Sequence, residues 1–255
     1  MSQVFASGML LLLAAFIYYN VKETEKGNVP KIRTMPTIEA ISEVVGRAAE
    51  MGSSVHYSTG GGGLTDQYAA MTISALEIMG EVAKVCGEMG VEFRYTCNKA
   101  ELVPIAQDLV KTGYIQAGND AMYHDAMVVY VGEQQRALMA ECLSYMLNER
   151  PAGNMMFGAG FWETEVIMGA GAVIGAMQIG GTPRLYHTPT FIMTCSHALI
   201  GEELYVAGAL VGKADRDLGA IKGVDWFKLI CLGLIGLSAL LSTVGSTLFQ
   251  YILSL

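Results

Sequence analysis

Val55-His56-Tyr57-Ser58-Thr59-Gly60-Gly61-Gly62-Gly63 runs from a β-like segment into four glycines, and a long helical pattern follows over residues 66–88. A strand, a glycine turn and a helix in that order form the opening unit of an α/β fold. Glu77, Glu81, Lys84 and Glu88 share one stripe of the helix, which leaves its other face to be buried. The alternation then repeats. Residues 91–96 read as a strand before a helix over 103–112, with Pro104 in the first turn. Residues 126–131 precede a helix over 134–148 that stops at Arg150-Pro151, and 154–157 precede a helix over 165–173. Residues 176–179 form a fifth strand. Phe191 to Thr194 suit either strand or helix and are read as part of a short helix, before a sixth strand over 197–200 and a helix over 202–211. Upstream, Ile38, Ile41, Val45, Ala48 and Ala49 recur at helical spacing between Thr37, read as an N-cap, and the stop at Gly52.

Six near-continuous apolar strands separated by helices imply a mainly parallel, Rossmann-like sheet with helices on both faces. Outward from this domain lie two uncharged ends. All 16 basic and 24 acidic residues fall between Lys22 and Lys228. Each end is long enough for the roughly 20 helical residues that cross a hydrocarbon core. The first has no basic residue before its apolar run and no small-x-small cleavage site after it, so it reads as an anchor and not a signal peptide. The expected organisation is a transmembrane helix over 1–21, a tether over 22–36, a cytoplasmic α/β domain over 37–225 and a second transmembrane helix over 226–255. Lys22, Lys26, Lys31 and Arg33 follow the first span, and Lys213, Arg216, Lys222 and Lys228 precede the last. Cationic flanks stay in the cytoplasm, so both termini are expected outside the cell membrane.

A formal charge of -8 argues against broad nucleic-acid binding, which needs a cationic footprint. Cys86, Cys97, Cys142, Cys195 and Cys231 show no C-x-x-C pair and suit reduced thiols. His56, His124, His187 and His197 lack H-x-x-x-H spacing, so no metal centre is expected, and no motif names a cofactor.

Ligands of open parallel sheets lie beyond the carboxyl ends of the strands. The candidate ligand-binding residues are therefore Ser58, Thr59, Gly60, Gly61, Gly62, Gly63, Asn98, Gly180, Gly181 and Thr182. Glycine permits close backbone approach, by a ligand or by a neighbouring helix. The run at 60–63 stands where a phosphate cradle would, yet it lacks the P-loop lysine, and a G-x-G-x-x-G match fails at Thr65. A plain loop is the competing reading, and dinucleotide binding is disfavoured. Glu163 and Glu202, with Glu165 and Glu203, are candidates for acid–base work, against the simpler role of carboxylates at helix N-termini. Cys97 is a candidate nucleophile against the alternative of a buried thiol. Gly236, Ala239, Ser242 and Ser246 form a small-residue face through which the last helix could pack on Gly8 and Ala15 or on another subunit.

Asn154-Met155-Met156-Phe157-Gly158, Ala176-Met177-Gln178-Ile179-Gly180-Gly181-Thr182 and Leu199-Ile200-Gly201-Glu202-Glu203-Leu204-Tyr205 resemble motifs of an uncharacterised prokaryotic family of membrane-associated α/β domains, across about residues 33–225. The resemblance implies this fold and a membrane location, and assigns no catalytic residue. The expected function is a membrane-tethered scaffold that forms homo-oligomers, contacts membrane lipid and takes a small-molecule ligand at its glycine-rich strand exits. The alternative is a membrane-bound hydrolase or transferase.

Overall fold

The computed structural model describes residues 3–30 and 32–243. Two compact units emerge, a pair of long terminal helices and an α/β unit spanning Arg33–Gly212.

In the α/β unit, α2 (Pro36–Met51) precedes β1 (Val55–Gly60), and the chain continues through α3 (Ala69–Met89), β2 (Phe93–Cys97), α4 (Leu102–Gln116) and β3 (Val128–Tyr130). It then forms α5 (Gln135–Glu149), β4 (Gly153–Ala159), α6 (Trp162–Ile174), β5 (Met177–Thr182), α7 (Thr188–Thr194), β6 (His197–Ile200) and α8 (Glu203–Val211). Each expected strand and helix is present. α2 differs at its start, because Pro36 takes the first turn, where a missing N–H costs nothing, and Thr37 is buried inside the helix.

All six strands are parallel and lie in the order β3-β2-β1-β4-β5-β6. The order reverses direction between β1 and β4, and in open parallel sheets such a junction is where a crevice for ligands lies, beyond the carboxyl ends of the strands. Both faces of the sheet are covered, which is why β1, β4 and β5 read as continuous buried runs. On one face Tyr57, Tyr95, Met155 and Ile179 pack against residues such as Val45, Ile78, Ala106 and Leu204 from α2, α3, α4 and α8. On the other, Met156 packs with Leu138, Cys142, Ile167, Met168 and Phe191 from α5, α6 and α7.

This second face also carries a polar row. Arg94, His56, Asn154 and Gln178 are in register on β2, β1, β4 and β5. His56 Nδ1 lies 3.0 Å from Asn154 Oδ1, and Asn154 Nδ2 donates to Gln178 Oε1 at 2.6 Å. His56 is thus the satisfied core histidine that its place in a strand suggests, and burial lowers its pKa to about 4.

α1 (Gln3–Glu25) and α9 (Asp215–Thr243) form the helical unit, and both are long and apolar enough to cross a membrane. α1 extends through the start of the expected tether to Glu25. α9 begins at Asp215, ahead of the expected span, because Asp215 and Asp217 favour a helix N-terminus. The two helices meet where a Cβ on Gly219 would stand 2.6 Å from Thr24 Oγ1, and one on Gly223 2.8 Å from Ile17 Cα. For Gly8 and Gly236, expected to mark the packing face, nothing among the described residues beyond the local helix stands within 4 Å of such a Cβ. Lys31 and Ser246, together with the side chain of Ser242, lie outside the described residues.

Candidate functional site

At the β1/β4 junction the glycine run leaving β1 lies against residues 160–163 leaving β4. Gly60 is still part of β1, in left-handed backbone (φ +73°), and a Cβ there would stand 2.5 Å from the Ala159 carbonyl oxygen. Gly62 faces Ala159 Cβ and Thr72 Oγ1, at 2.8 and 2.9 Å from where its Cβ would be. These glycines serve the close approach of protein to protein.

Three amides of this loop donate to carboxylates of the chain itself. Gly61 N–H donates to Glu163 Oε1 at 2.8 Å, Gly63 N–H to Asp66 Oδ2 at 2.9 Å and Leu64 N–H to Glu101 Oε1 at 2.5 Å. Glu163 is fully buried at the start of α6. Its Oε1 also accepts from Phe161 N–H at 3.2 Å, and its Oε2 accepts from the Gln135 side-chain amide. A carboxylate so engaged clamps the loop and has little capacity left for proton transfer.

The other candidates divide into structural and exposed groups. Ser58 donates to the Thr96 carbonyl at 3.2 Å, and Thr59 Oγ1 lies 2.7 Å from the Tyr95 hydroxyl, so both are consumed within the sheet. Gly180, Gly181 and Thr182 belong to β5 itself and not to the loop after it. A Cβ on Gly180 would meet the Met156 carbonyl and the Phe191 ring, and one on Gly181 would stand 2.5 Å from Leu199 Cβ. Thr182 Oγ1 accepts from Arg184 N–H at 3.2 Å. Glu202 is exposed after β6, two strands from the exit of β4 and so roughly 10 Å away by sheet spacing. Glu203 pairs with Arg33. The Cys97 thiol is pushed up to about 11 by burial, which makes it a poor nucleophile at neutral pH.

Asn98 is different. It is 3 % exposed at the exit of β2, and its Oδ1 has no hydrogen-bond partner among the described residues. Thr164 Oγ1, buried on the first turn of α6 after β4, is in the same condition. The two groups stand on either side of β1.

Several members of the site had no local signature. The Arg184 guanidinium lies 4.1 Å from the Phe161 ring centroid and 5.1 Å from that of Tyr68, while its Nη1 donates to the Gly160 carbonyl at 2.7 Å. Phe161 and Tyr68 meet edge to face at 5.0 Å. His187 Nδ1 lies 2.8 Å from Glu165 Oε1 beside the same exit. Of the residues holding the loop, Asp66 could be inferred from sequence, since an aspartate three residues after a glycine run commonly caps the turn. Glu101, Gln135 and Arg184 reach the site from separate elements.

No curated protein and no solved structure matches the chain. One family model does, over residues 1–253, and the chain accordingly belongs to DUF6754, a family described as a domain of unknown function.

Proposed function

We propose that this protein is a membrane-tethered, self-assembling scaffold with a Rossmann-like cytoplasmic domain that binds a small, neutral polar ligand at the exits of β1, β2 and β4. The observation that carries the ligand reading is the unmet hydrogen-bonding capacity of Asn98 Oδ1 and Thr164 Oγ1, since a buried polar group without a partner costs about 1–3 kcal/mol. A ligand bearing hydroxyl or amide groups would satisfy both. Phosphate is disfavoured because Glu163, Asp66 and Glu101 already occupy the amides of Gly61, Gly63 and Leu64 and would add negative charge beside it.

The strand order, with its reversal between β1 and β4, supports the Rossmann-like reading. The lengths of α1 and α9 support anchoring, and their cationic flanks support an orientation with both termini outside. The resemblance noted above supports a bacterial or archaeal source. Self-assembly draws on tethering, which confines copies to two dimensions and raises their effective concentration.

A membrane-bound hydrolase or transferase is the second reading, and the Glu165–His187 pair favours it. A carboxylate on Nδ1 orients the ring and leaves Nε2 to act as a base.

A density map and native mass spectrometry of the gently purified protein test the main reading. A small molecule should appear beside Asn98 and Thr164, and Asn98→Leu with Thr164→Val should remove it without loss of stability. A crevice holding water alone, or a bound molecule indifferent to these changes, refutes the ligand. A monomer in mild detergent refutes the scaffold.

A further inference from the structure

A cavity of about 630 Å³ opens at the amino ends of β1 and β2, where α2, α3 and α5 end. Its lining includes the donors Ser54, Arg94 and Tyr145, with the Glu141 carboxylate beside them. Arg94, near the start of β2, lays its guanidinium 4.3 Å from the Tyr145 ring centroid and donates through Nη2 to Glu141 at 2.5 Å. Beside it the Tyr145 hydroxyl and Ser54 Oγ are 2.6 Å apart. One hydroxyl proton is used in that bond, so the other remains available to an acceptor, as does Arg94 Nη1.

The rim has the opposite character. Glu92 and Glu149 are exposed there, and the carboxyl-terminal ends of three helices add partial negative charge. Ala48, Met89 and Met122 line the cavity with apolar surface. A bare cation would gain from the rim but would leave the Ser54–Tyr145 and Arg94 donors without an acceptor. A bare anion would meet three carboxylates and three helix ends against one guanidinium.

We propose that this cavity binds a small zwitterion of α-amino-acid chemistry with an apolar side chain. Its carboxylate lies on Arg94 and the Ser54–Tyr145 pair, its ammonium faces Glu92 and Glu149, and its side chain packs along the methionines. The volume leaves room for ordered water around a single amino acid. The site is separate from the crevice at the strand exits, so the two can be tested independently.

The test is isothermal titration of the full chain in mild detergent with L-leucine and L-methionine. Isoamylamine, which lacks the carboxylate, and N-acetyl-L-leucine, which lacks the ammonium, serve as controls. At least one amino acid should bind with a Kd of about 1 mM or tighter, and each control at least about tenfold more weakly. Arg94→Gln should weaken binding by about tenfold or more, the loss typical of a charge-assisted hydrogen bond. Because Arg94 also packs on Tyr145, the exposed pair Glu92→Gln with Glu149→Gln provides a second variant, which should weaken binding several-fold without disturbing the fold. Asn98→Leu with Thr164→Val should leave it unchanged. No binding of either amino acid, equal binding of either control, or full affinity in the Glu92/Glu149 variant overturns the proposal.

Discussion

Removing the Glu163 side chain as Glu163→Ala would leave three donors without their acceptor: the Gly61 and Phe161 amides and the Gln135 side chain. Each costs about 1–3 kcal/mol when buried and unsatisfied, and water entering the space would recover part of it. A loss of about 3–6 kcal/mol follows, a large fraction of the 5–15 kcal/mol by which a typical domain is stable. Glu163→Gln separates charge from shape. Both backbone amides donate to Oε1, so a glutamine carbonyl placed there keeps them. The new amide nitrogen would face the Gln135 amide nitrogen until Gln135 turns to present its oxygen. That variant loses charge assistance and should cost about 1–2 kcal/mol. Denaturant unfolding of the full chain in detergent measures both, and hydrogen exchange at Gly61 reports the loop directly. Glu163→Ala as stable as the unmodified protein, or Glu163→Gln as damaging as Glu163→Ala, would refute the view of Glu163 as the clamp of the glycine loop.

The remaining predictions concern core chemistry and close packing. His56 has a folded pKa of about 4, below its ordinary value near 6.5, so its neutral form supports the fold. That support is complete above about pH 6.5 and fades as pH falls towards 4, because the unfolded chain takes up the proton first. Unfolding free energies at pH 7 and 5 should differ by about 2 kcal/mol from this group, and His56→Gln should abolish that component; an unchanged pH dependence would contradict the assignment. Gly62→Ala drives a Cβ against Ala159 and Thr72 and should cost about 1–3 kcal/mol. Gly169→Ala, in open space on α6, should be neutral or stabilise by up to about 1 kcal/mol. Equal effects at these two glycines would show that the crevice wall is not tightly packed. The ligand tests at the strand exits and at the Arg94 cavity complete the set.

The helices and strands are legible along the chain before any fold is known, because such patterns are properties of fewer than about 20 neighbouring residues. The sixth strand is a clear case: His197–Ile200 has the bounds that its short apolar run suggests. The apolar ends likewise show in composition alone, as do the glycines that leave β1. Tertiary structure decided what those elements do for each other. Gly180 and Gly181 look like a loop locally, yet pairing with Met156 and Phe157 on one side and Ala198 and Leu199 on the other makes them strand. Asn98 resembles any polar residue after a strand until burial removes every partner from its oxygen. Glu163 looks like a carboxylate at a helix start, and its role as a clamp depends on Gly61, 102 positions earlier in the chain. Distances of that kind are closed by the parallel crossovers of the sheet, and no local pattern records them. The glycine run therefore marks a place of close approach in the sequence, while the fold decides that the approaching groups are the protein's own carboxylates and backbone.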